Sequence, residues 1–215
     1  MSSILKAQKS LFRNMEKVEN LNQHINDGNI ELKNKTIENL NYENVDLLDI
    51  EYEAVEFKNV NIINSNLEGN SFKDVIFYNC NFSNTKFENS FFVRCEFYNC
   101  KLAGCNFVDT RLYNVIFEES NLNYINLSMA SLENVAFSKS MMVNSYFLEN
   151  KLKNIIFKEA NLTKSQIFKT SFRNMDLSDS IIEGISISME DIKGAIISQF
   201  QAIDLMYLLG VKVKL

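Results

Sequence analysis

The sequence predicts an all-β solenoid with four sides, in which short strands wind around one narrow apolar core. The first supporting observation is a period of five. Every fifth position from Phe57 to Ile187 is Phe, Leu, Ile or Met, 27 times in succession. This period fits neither an α-helix, with about 3.6 residues per turn, nor a strand, with about two. It indicates a repeat whose units cannot bury their own apolar residue and must stack on one another.

The second observation is a small residue two positions before most of the large ones, often with Asn or Asp between them. Cys80-Asn81-Phe82 and Ser120-Asn121-Leu122 are examples. A small and a large side chain can both point inward only if the polar pair that follows turns a corner. Asn, Asp, Ser and Gly favour such corners.

The third observation is a longer period, in which every fourth unit is alike, and it predicts four units per coil. One side of the coil carries a column of six phenylalanines: Phe57, Phe77, Phe97, Phe117, Phe137 and Phe157. Coils should stack about 4.8 Å apart, the spacing of hydrogen-bonded strands. Asparagines recur with the same long period and should hydrogen-bond along the corners, at positions Asn59, Asn79, Asn99 and Asn114, Asn134, Asn154, Asn174.

The repeats define a central domain over residues 31–197, and residues 1–30 form a separate N-terminal segment. Apolar residues from Ile4 to Ile25 recur at helical spacing, and Asp27-Gly28-Asn29 follows them. This pattern predicts an amphipathic helix over residues 3–26. We expect the helix to cover the open first coil, with a partner-binding or membrane-surface helix as the alternative.

The C-terminal segment, residues 198–215, is predicted to hold a second helix and a dimer interface. Ser198 and Gln201 have capping-box spacing, and Gly210 is a suitable helix end. The residues between them are apolar on nearly all sides, so one face should plug the solenoid and another should bury against a second subunit. A twofold dimer satisfies both, with the interface residues Phe200, Ile203, Met206, Tyr207 and Leu209.

The sequence predicts no enzyme, no cofactor and no metal site. Cys95, Cys100 and Cys105 are five apart and could suggest a metal site, but they occupy the small inward position on successive sides, where Cys is a compact apolar residue. The single histidine, His24, lies outside the repeats. No phosphate loop and no paired nucleophile and base are present. With no long apolar run, a cytoplasmic protein is expected.

Charge provides the main functional indication. The formal net charge is −5, and residues 36–57 hold seven acids and no base: Glu38, Glu43, Asp46, Asp49, Glu51, Glu53 and Glu56. A rod with this charge repels nucleic-acid phosphates, but it could compete with DNA for a basic protein surface. These acids are the predicted partner-binding surface. The alternative is that mild acidity only keeps the protein soluble.

The repeat unit resembles that of the pentapeptide-repeat proteins, written A-(D/N)-L-x-x, over about residues 37–197. The resemblance implies a right-handed quadrilateral β-helix. At the C-terminus, Asp191-Ile192-Lys193-Gly194-Ala195, Phe200-Gln201-Ala202 and Leu208-Leu209-Gly210-Val211 resemble the Qnr-type quinolone-resistance members. That resemblance implies a homodimer joined by its C-terminal helices, which mimics DNA, binds DNA gyrase or topoisomerase IV and modulates quinolone sensitivity.

Two departures from the Qnr-type pattern qualify this prediction. Qnr-type proteins of Gram-negative bacteria carry two projecting loops that are linked to protection, whereas the register here runs from Phe57 to Ile187 without an insertion. An N-terminal helix is also not typical of them. We therefore expect a loop-free member. The alternative function is a structural or scaffold repeat protein whose partner binds a flat side or the N-terminal helix.

Overall fold

The computed structural model describes residues 4–8, 11–12, 15–21 and 30–211. The chain winds into a right-handed, four-sided β-solenoid, so the predicted fold class is confirmed. Each side is identified here by its buried central residue: Phe57 for side 1, Ile62 for side 2, Leu67 for side 3 and Phe72 for side 4. Equivalent residues follow one coil later, as Phe77 follows Phe57 on side 1. Among the described residues, no helix is long and apolar enough to span a membrane.

Sides 4 and 1 are built from one parallel sheet of eight strands. Neighbouring strands pair with an offset of one whole coil, as in Phe57 with Phe77. Each long strand bends at a corner residue of positive φ, such as Asp74 (φ 54°), and so covers two adjacent sides. In sheet order the strands are β1 (Glu16–Val18), β2 (Glu31–Glu38), β4 (Glu51–Lys58), β6 (Ser71–Tyr78), β7 (Phe91–Tyr98), β8 (Arg111–Glu118), β9 (Ser131–Ser138) and β11 (Lys151–Lys158).

Sides 2 and 3 have much less regular pairing. On side 2, β3 (Asn41–Glu43) pairs with β5 (Asn61–Ile63), and on side 3, β10 (Tyr146–Leu148) pairs with β12 (Gln166–Phe168). Elsewhere on these sides single bridges join successive coils, such as Asn81 with Lys101. The backbone between the bridges turns, because each corner residue is left-handed.

The core is the predicted stack of aromatic and aliphatic side chains. The rings of Phe57, Phe77, Phe97 and Phe117 lie parallel, with successive centroid distances of 4.9, 4.3 and 4.7 Å. These distances match the expected spacing of the coils. All four rings are at most 2% exposed, so the narrow core excludes water along side 1.

The corner asparagines form the first predicted ladder, and in the second Asn154 donates to Asn134 at 2.9 Å. Asn99 donates from Nδ2 to Oδ1 of Asn79 at 2.9 Å, and Asn79 donates in turn to Asn59 at 3.3 Å. All three have φ between 51° and 53°. Asn is suited to this position because it tolerates left-handed backbone and offers both a donor and an acceptor.

The small inward position has a second role that sequence reasoning missed. Its hydroxyl or thiol donates to a backbone carbonyl in the preceding coil. Thr85 Oγ1 donates to Ile62 O at 2.7 Å, and Cys105 Sγ donates to Phe82 O at 2.8 Å. Ser, Thr and Cys are thus both small enough for the corner and able to pair a buried carbonyl.

The predicted N-terminal helix over residues 3–26 is wrong over residues 4–8 and 15–20, which are not helical, whereas Leu21 is helical. Glu16–Val18 is strand β1, which adds an outer strand to β2, and Val18 and Leu21 pack on the core. Residues 4–8 are not helical and lie along side 1. The apolar residues of this segment pack on the solenoid instead of lining one face of a helix. Residues 22–29, including His24, lie outside the described residues.

The C-terminus contains three short helices, α1 (Met189–Ile192), α2 (Gln199–Asp204) and a 3-10 helix (Met206–Leu209). The capping box of Ser198 and Gln201 and the left-handed stop at Gly210 (φ 68°) are confirmed. The predicted single helix is interrupted at Leu205. Gln201 closes the solenoid with a polar contact, because its Nε2 donates to the carbonyls of Leu177 (2.7 Å) and Ser180 (2.6 Å).

Candidate functional site

The seven acids of the predicted partner-binding surface do not form one surface. The register places Glu38 and Glu56 on side 1, Glu43 on side 2, Asp46 and Asp49 on side 3, and Glu51 and Glu53 on side 4. Three of them are paired with lysines. Glu38 lies 3.1 Å from Lys17 and Glu56 lies 2.6 Å from Lys58. Acids close together in the sequence therefore surround the first coils instead of lining one side.

Glu53 is the most strongly paired of these acids. Lys33 and Lys73, one coil before and one coil after it, each donate to its carboxylate at 2.6 Å. These hydrogen bonds lower the pKa of Glu53 to about 2. The carboxylate is neutralised by two ammonium groups, so it contributes little negative potential for a partner.

Charge is instead segregated by side over the whole rod. Each coil has three outward positions on side 1: the one immediately before the central residue and the two after it. Over the whole rod these positions carry eight acids and three bases. The acids are Glu38, Glu56, Glu96, Glu118, Glu119, Glu159, Asp176 and Asp179, and the bases are Lys58, Lys139 and Lys158. Side 3 carries six acids and two bases: Asp46, Asp49, Glu68, Glu88, Asp109 and Glu149 against Lys86 and Lys169.

Side 4 has the opposite sign. Its outward positions carry seven bases and five acids: Lys33, Lys73, Arg94, Arg111, Lys151, Lys153 and Arg173 against Glu31, Glu51, Glu53, Asp74 and Glu133. Side 2 is balanced, with Glu43 and Glu183 against Lys101 and Lys164. The rod therefore presents two acidic sides and one weakly basic side. A sequence window cannot reveal this pattern, because neighbours on one side are a whole coil apart in the chain.

The predicted dimer residues form an exposed apolar surface at the C-terminal end. Phe200 is 72% exposed, Leu209 61% and Ile203 51%. Tyr207 is held by its hydroxyl, which donates to Ile185 O at 2.7 Å, and Met206 is half-buried. Beside them lies an apolar cavity of about 240 Å³ lined by Ile192, Ile197, Ala202, Leu205, Met206 and Leu208, among others. Exposed apolar side chains next to an apolar cavity are typical of a protein interface.

The cysteines belong to the core. Cys80, Cys95, Cys100 and Cys105 are free thiols that are buried at the small inward position. Burial raises the pKa of Cys95 and of Cys105 to about 12, so both stay protonated at neutral pH. Among the described residues, no group of three or more His, Cys, Asp or Glu side chains could hold a metal ion.

Comparison with known proteins settles the family. A model described as a pentapeptide repeat region matches residues 90–167, and one described as pentapeptide repeats (8 copies) matches residues 54–89. The chain belongs to the pentapeptide-repeat proteins. No curated protein matches it significantly. In this pentapeptide-repeat protein the matched residues coincide with the regular coils, so the family assignment and the geometry describe the same part of the chain.

Solved structures of this family share the fold. Two trypsin-treated variants of QnrB1, a plasmid-mediated fluoroquinolone resistance protein, match with 22% and 19% identity and TM-scores of 0.54 and 0.51. The matches cover 84% and 83% of this chain, and 92% and 99% of those chains. HetL, from the cyanobacterium Nostoc sp. strain PCC 7120, matches with 14% identity and a TM-score of 0.40, over 85% of this chain and 98% of HetL. At these identities the likeness to the two QnrB1 structures shows the fold alone.

Proposed function

We propose that this pentapeptide-repeat protein is a homodimer that mimics DNA, binds a bacterial type II topoisomerase and modulates quinolone sensitivity. The observation that carries the proposal is the segregation of charge on the rod. Side 1 and side 3 each carry a marked excess of acids, along a solenoid whose successive coils pair as neighbouring strands. A basic DNA-binding surface would meet an ordered array of carboxylates there, in place of the phosphates that it meets on a duplex.

The acids of side 3 are mostly without an ion pair among the described residues, whereas on side 1 Glu38, Glu56 and Glu119 are paired with lysines and Glu96 is buried. On side 1, Lys139 pairs with Glu119 at 3.4 Å, and on side 3, Lys169 pairs with Glu149 at 2.8 Å. All four side chains are about half exposed or more, so each pair is solvated and contributes little to stability. A partner's Lys or Arg could therefore replace the pairing lysine without burying an unpaired charge.

The apolar C-terminal end supports the dimer. Leu209 lines the apolar cavity together with Ile197 and Leu205, and Phe200 is exposed on the same helical segment, so a twofold axis would bring the apolar surfaces of two subunits together. Joining two rods at this end doubles the length of the acidic sides. QnrB1, which shares the fold, is a fluoroquinolone resistance protein, so quinolone sensitivity is the phenotype to measure.

The repeat register without an insertion indicates which part of the activity to expect. The described coils follow one another from Leu32 to Ile187 without an inserted loop. We expect binding and inhibition of the topoisomerase to depend on the rod and its dimer. Protection from quinolones is expected to be weaker than for family members that carry projecting loops.

Two measurements test the proposal. The dimeric protein should inhibit DNA supercoiling by gyrase at low micromolar concentration or below. Phe200→Asp or Ile203→Asp should give monomers by size-exclusion light scattering and should weaken that inhibition. If both variants remain dimeric, the C-terminal interface is wrong. If the dimeric wild-type protein affects neither supercoiling nor quinolone-stabilised cleavage, topoisomerase binding is wrong, and a scaffold that binds another protein becomes the better hypothesis.

A further inference from the structure

Residues 4–8, here called the N-terminal strap, run across three successive coils, over side 1 and the corner that it shares with side 4. As the strap proceeds along the chain, it passes the coils in the reverse of their order in the sequence. Leu5 N contacts Asn114, Ala7 N contacts Glu96, and Gln8 N contacts Asp74. It lies on the outside of the solenoid, so it belongs neither to the core nor to a strand pair.

The strap is held mainly through its backbone. The amides of Leu5, Ala7 and Gln8 donate to side-chain oxygens at 3.2, 3.0 and 3.2 Å. These acceptors are Asn114 Oδ1, Glu96 Oε1 and Asp74 Oδ1, three outward side chains that are at most 2% exposed beneath the strap. A carboxylate that accepts a backbone N–H makes a charge-assisted hydrogen bond. Such recognition depends on an extended backbone more than on particular side chains.

One side-chain contact adds a preference for a base. Lys6 Nζ lies 3.7 Å from Glu96 and 5.9 Å from the ring centre of Tyr98. The Tyr98 hydroxyl also donates to Glu96, so this carboxylate is the centre of the contact. The Asp74 carboxylate is held by Arg94, which donates to it from Nε at 2.8 Å and from Nη2 at 2.6 Å. The groove is thus acidic, rigid and matched to an extended segment with one basic residue.

The strap does not satisfy the whole groove. Asn114 Nδ2 is buried and has no hydrogen-bond partner among the described residues. The outward column of side 1 is buried at Ile76, Ile116 and Ala136, at 4%, 9% and 6% exposure, but Ile156, one coil further, is 39% exposed. A cavity of about 350 Å³ begins at Ile4 and continues past Ile156 to Arg173. A longer segment that offered a carbonyl to Asn114 would fit better than the strap.

We propose that side 1 carries a peptide-binding groove for an extended segment with a Lys or Arg, and that the strap occupies this groove as an intramolecular competitor. The ligand is bound by the acceptors Asp74, Glu96 and Asn114, and its basic residue takes the place of Lys6. Displacement of the strap uncovers Glu96 and the apolar column. The groove lies on one of the two acidic sides of the topoisomerase proposal, but it can be tested without that enzyme.

The test uses a fluorescent peptide of residues 1–12 as the probe and a protein that lacks those residues. That protein keeps β1 and the first coil. Fluorescence anisotropy should show saturable binding to the shortened protein and binding at least about tenfold weaker to the full chain, because the tethered strap is present at high effective concentration. Methylation of the Ala7 backbone nitrogen in the peptide should weaken binding about tenfold, because it removes the donor to Glu96.

A pair of protein variants gives the matched control. Glu96→Ile in the shortened protein should weaken peptide binding about tenfold, because it removes the carboxylate acceptor. The isoleucine should pack in the outward column of side 1, where Ile76 and Ile116 are the neighbours of position 96. Glu118→Gln, on the same side and without a strap contact among the described residues, should bind as the parent does. If the shortened protein does not fold, the full-length Ala7→Pro variant replaces it and should gain peptide binding. The proposal is overturned if the peptide binds neither a folded shortened protein nor Ala7→Pro. It is also overturned if the methylated peptide binds as tightly as the unmethylated one.

Discussion

The regular coils and the N-terminal strap are stabilised in opposite ways. In the coils, side chains point inward, and each one packs on the equivalent residue of the next coil, as Phe97 does on Phe77. In the strap, the backbone provides the donors, and outward side chains such as Glu96 provide the acceptors. One region is stabilised by burial that is repeated in every coil, and the other by a few hydrogen bonds. The two should therefore differ in stability and in how far the sequence predicts them.

The largest expected effect is on the core of the coils. Phe97→Ala removes a fully buried ring that stacks on Phe77 and Phe117, and should lower the free energy of unfolding by about 3–5 kcal/mol. Denaturant unfolding followed by circular dichroism measures it. Phe91→Ala, on the same strand but 41% exposed, is the control and should cost less than about 1 kcal/mol. Equal costs would mean that the ring stack does not dominate the stability of the coils.

A smaller effect is expected at the corners. Asn79→Ala places an alanine at φ 53° and removes two ladder hydrogen bonds, so it should cost about 1–2 kcal/mol. Asn79→Gly removes the same bonds but tolerates the left-handed backbone, and should cost less than the alanine. If glycine costs more than alanine in a thermal unfolding experiment, the ladder rather than the backbone conformation sets the preference for Asn.

The strap should contribute still less to global stability. Ala7→Pro removes the donor to Glu96 and should change the free energy of unfolding by less than about 1 kcal/mol, because the strap can open while the coils remain intact. Hydrogen exchange tests this directly. In the wild-type protein the amide of Ala7 should exchange about 100-fold faster than the strand amide of Leu112. Equal protection would mean that strap and coils open together.

The smallest effect concerns the lysines around Glu53. Because the pKa of this carboxyl is lowered to about 2, its pairing with Lys33 and Lys73 stabilises the folded protein above the ordinary pKa of a glutamate. That contribution should be lost as pH falls from about 4.5 towards 2. Glu53→Gln should reduce this part of the pH dependence of the free energy of unfolding. At pH 7 it should lower the free energy of unfolding by less than about 1 kcal/mol, because the group is solvated. An unchanged acid profile would show that the pairs contribute nothing.

The sequence predicts the coils almost completely because one rule repeats in each of them. The inward column of Phe77 and Phe97 and the corner column of Asn79 and Asn99 could be placed by counting four units at a time. The hydrogen bond from the small residue to the previous coil was missed because size alone explains that position. It becomes visible only when Thr85 and Cys105 are seen beside a backbone carbonyl.

The strap could not be predicted because it follows no repeat. The apolar residues of the whole N-terminal segment have helical spacing, but Ala7 in the strap lies on side 1, and Val18 and Leu21 beyond it pack on the first coil. Their partners are therefore in the solenoid and not in a helix. The acidic surface was misplaced for a related reason. The seven acids between positions 36 and 57 suggest one surface, but that stretch makes a full circuit of the rod, and the coil distributes them over four sides. Proximity along the chain is a poor guide to proximity on this rod.

The most direct test of the proposed function compares two triple variants in a gyrase supercoiling titration. Glu118→Gln, Glu119→Gln and Glu159→Gln remove three of the eight acidic charges of side 1, whereas Glu31→Gln, Glu43→Gln and Glu51→Gln remove three acidic charges from sides 4 and 2. With dimeric protein, we predict that the side 1 triple raises the concentration for half inhibition about tenfold or more, and that the other triple changes it less than about twofold. Equal effects of the two triples, or no inhibition by the wild-type dimer, would contradict DNA mimicry by the acidic sides.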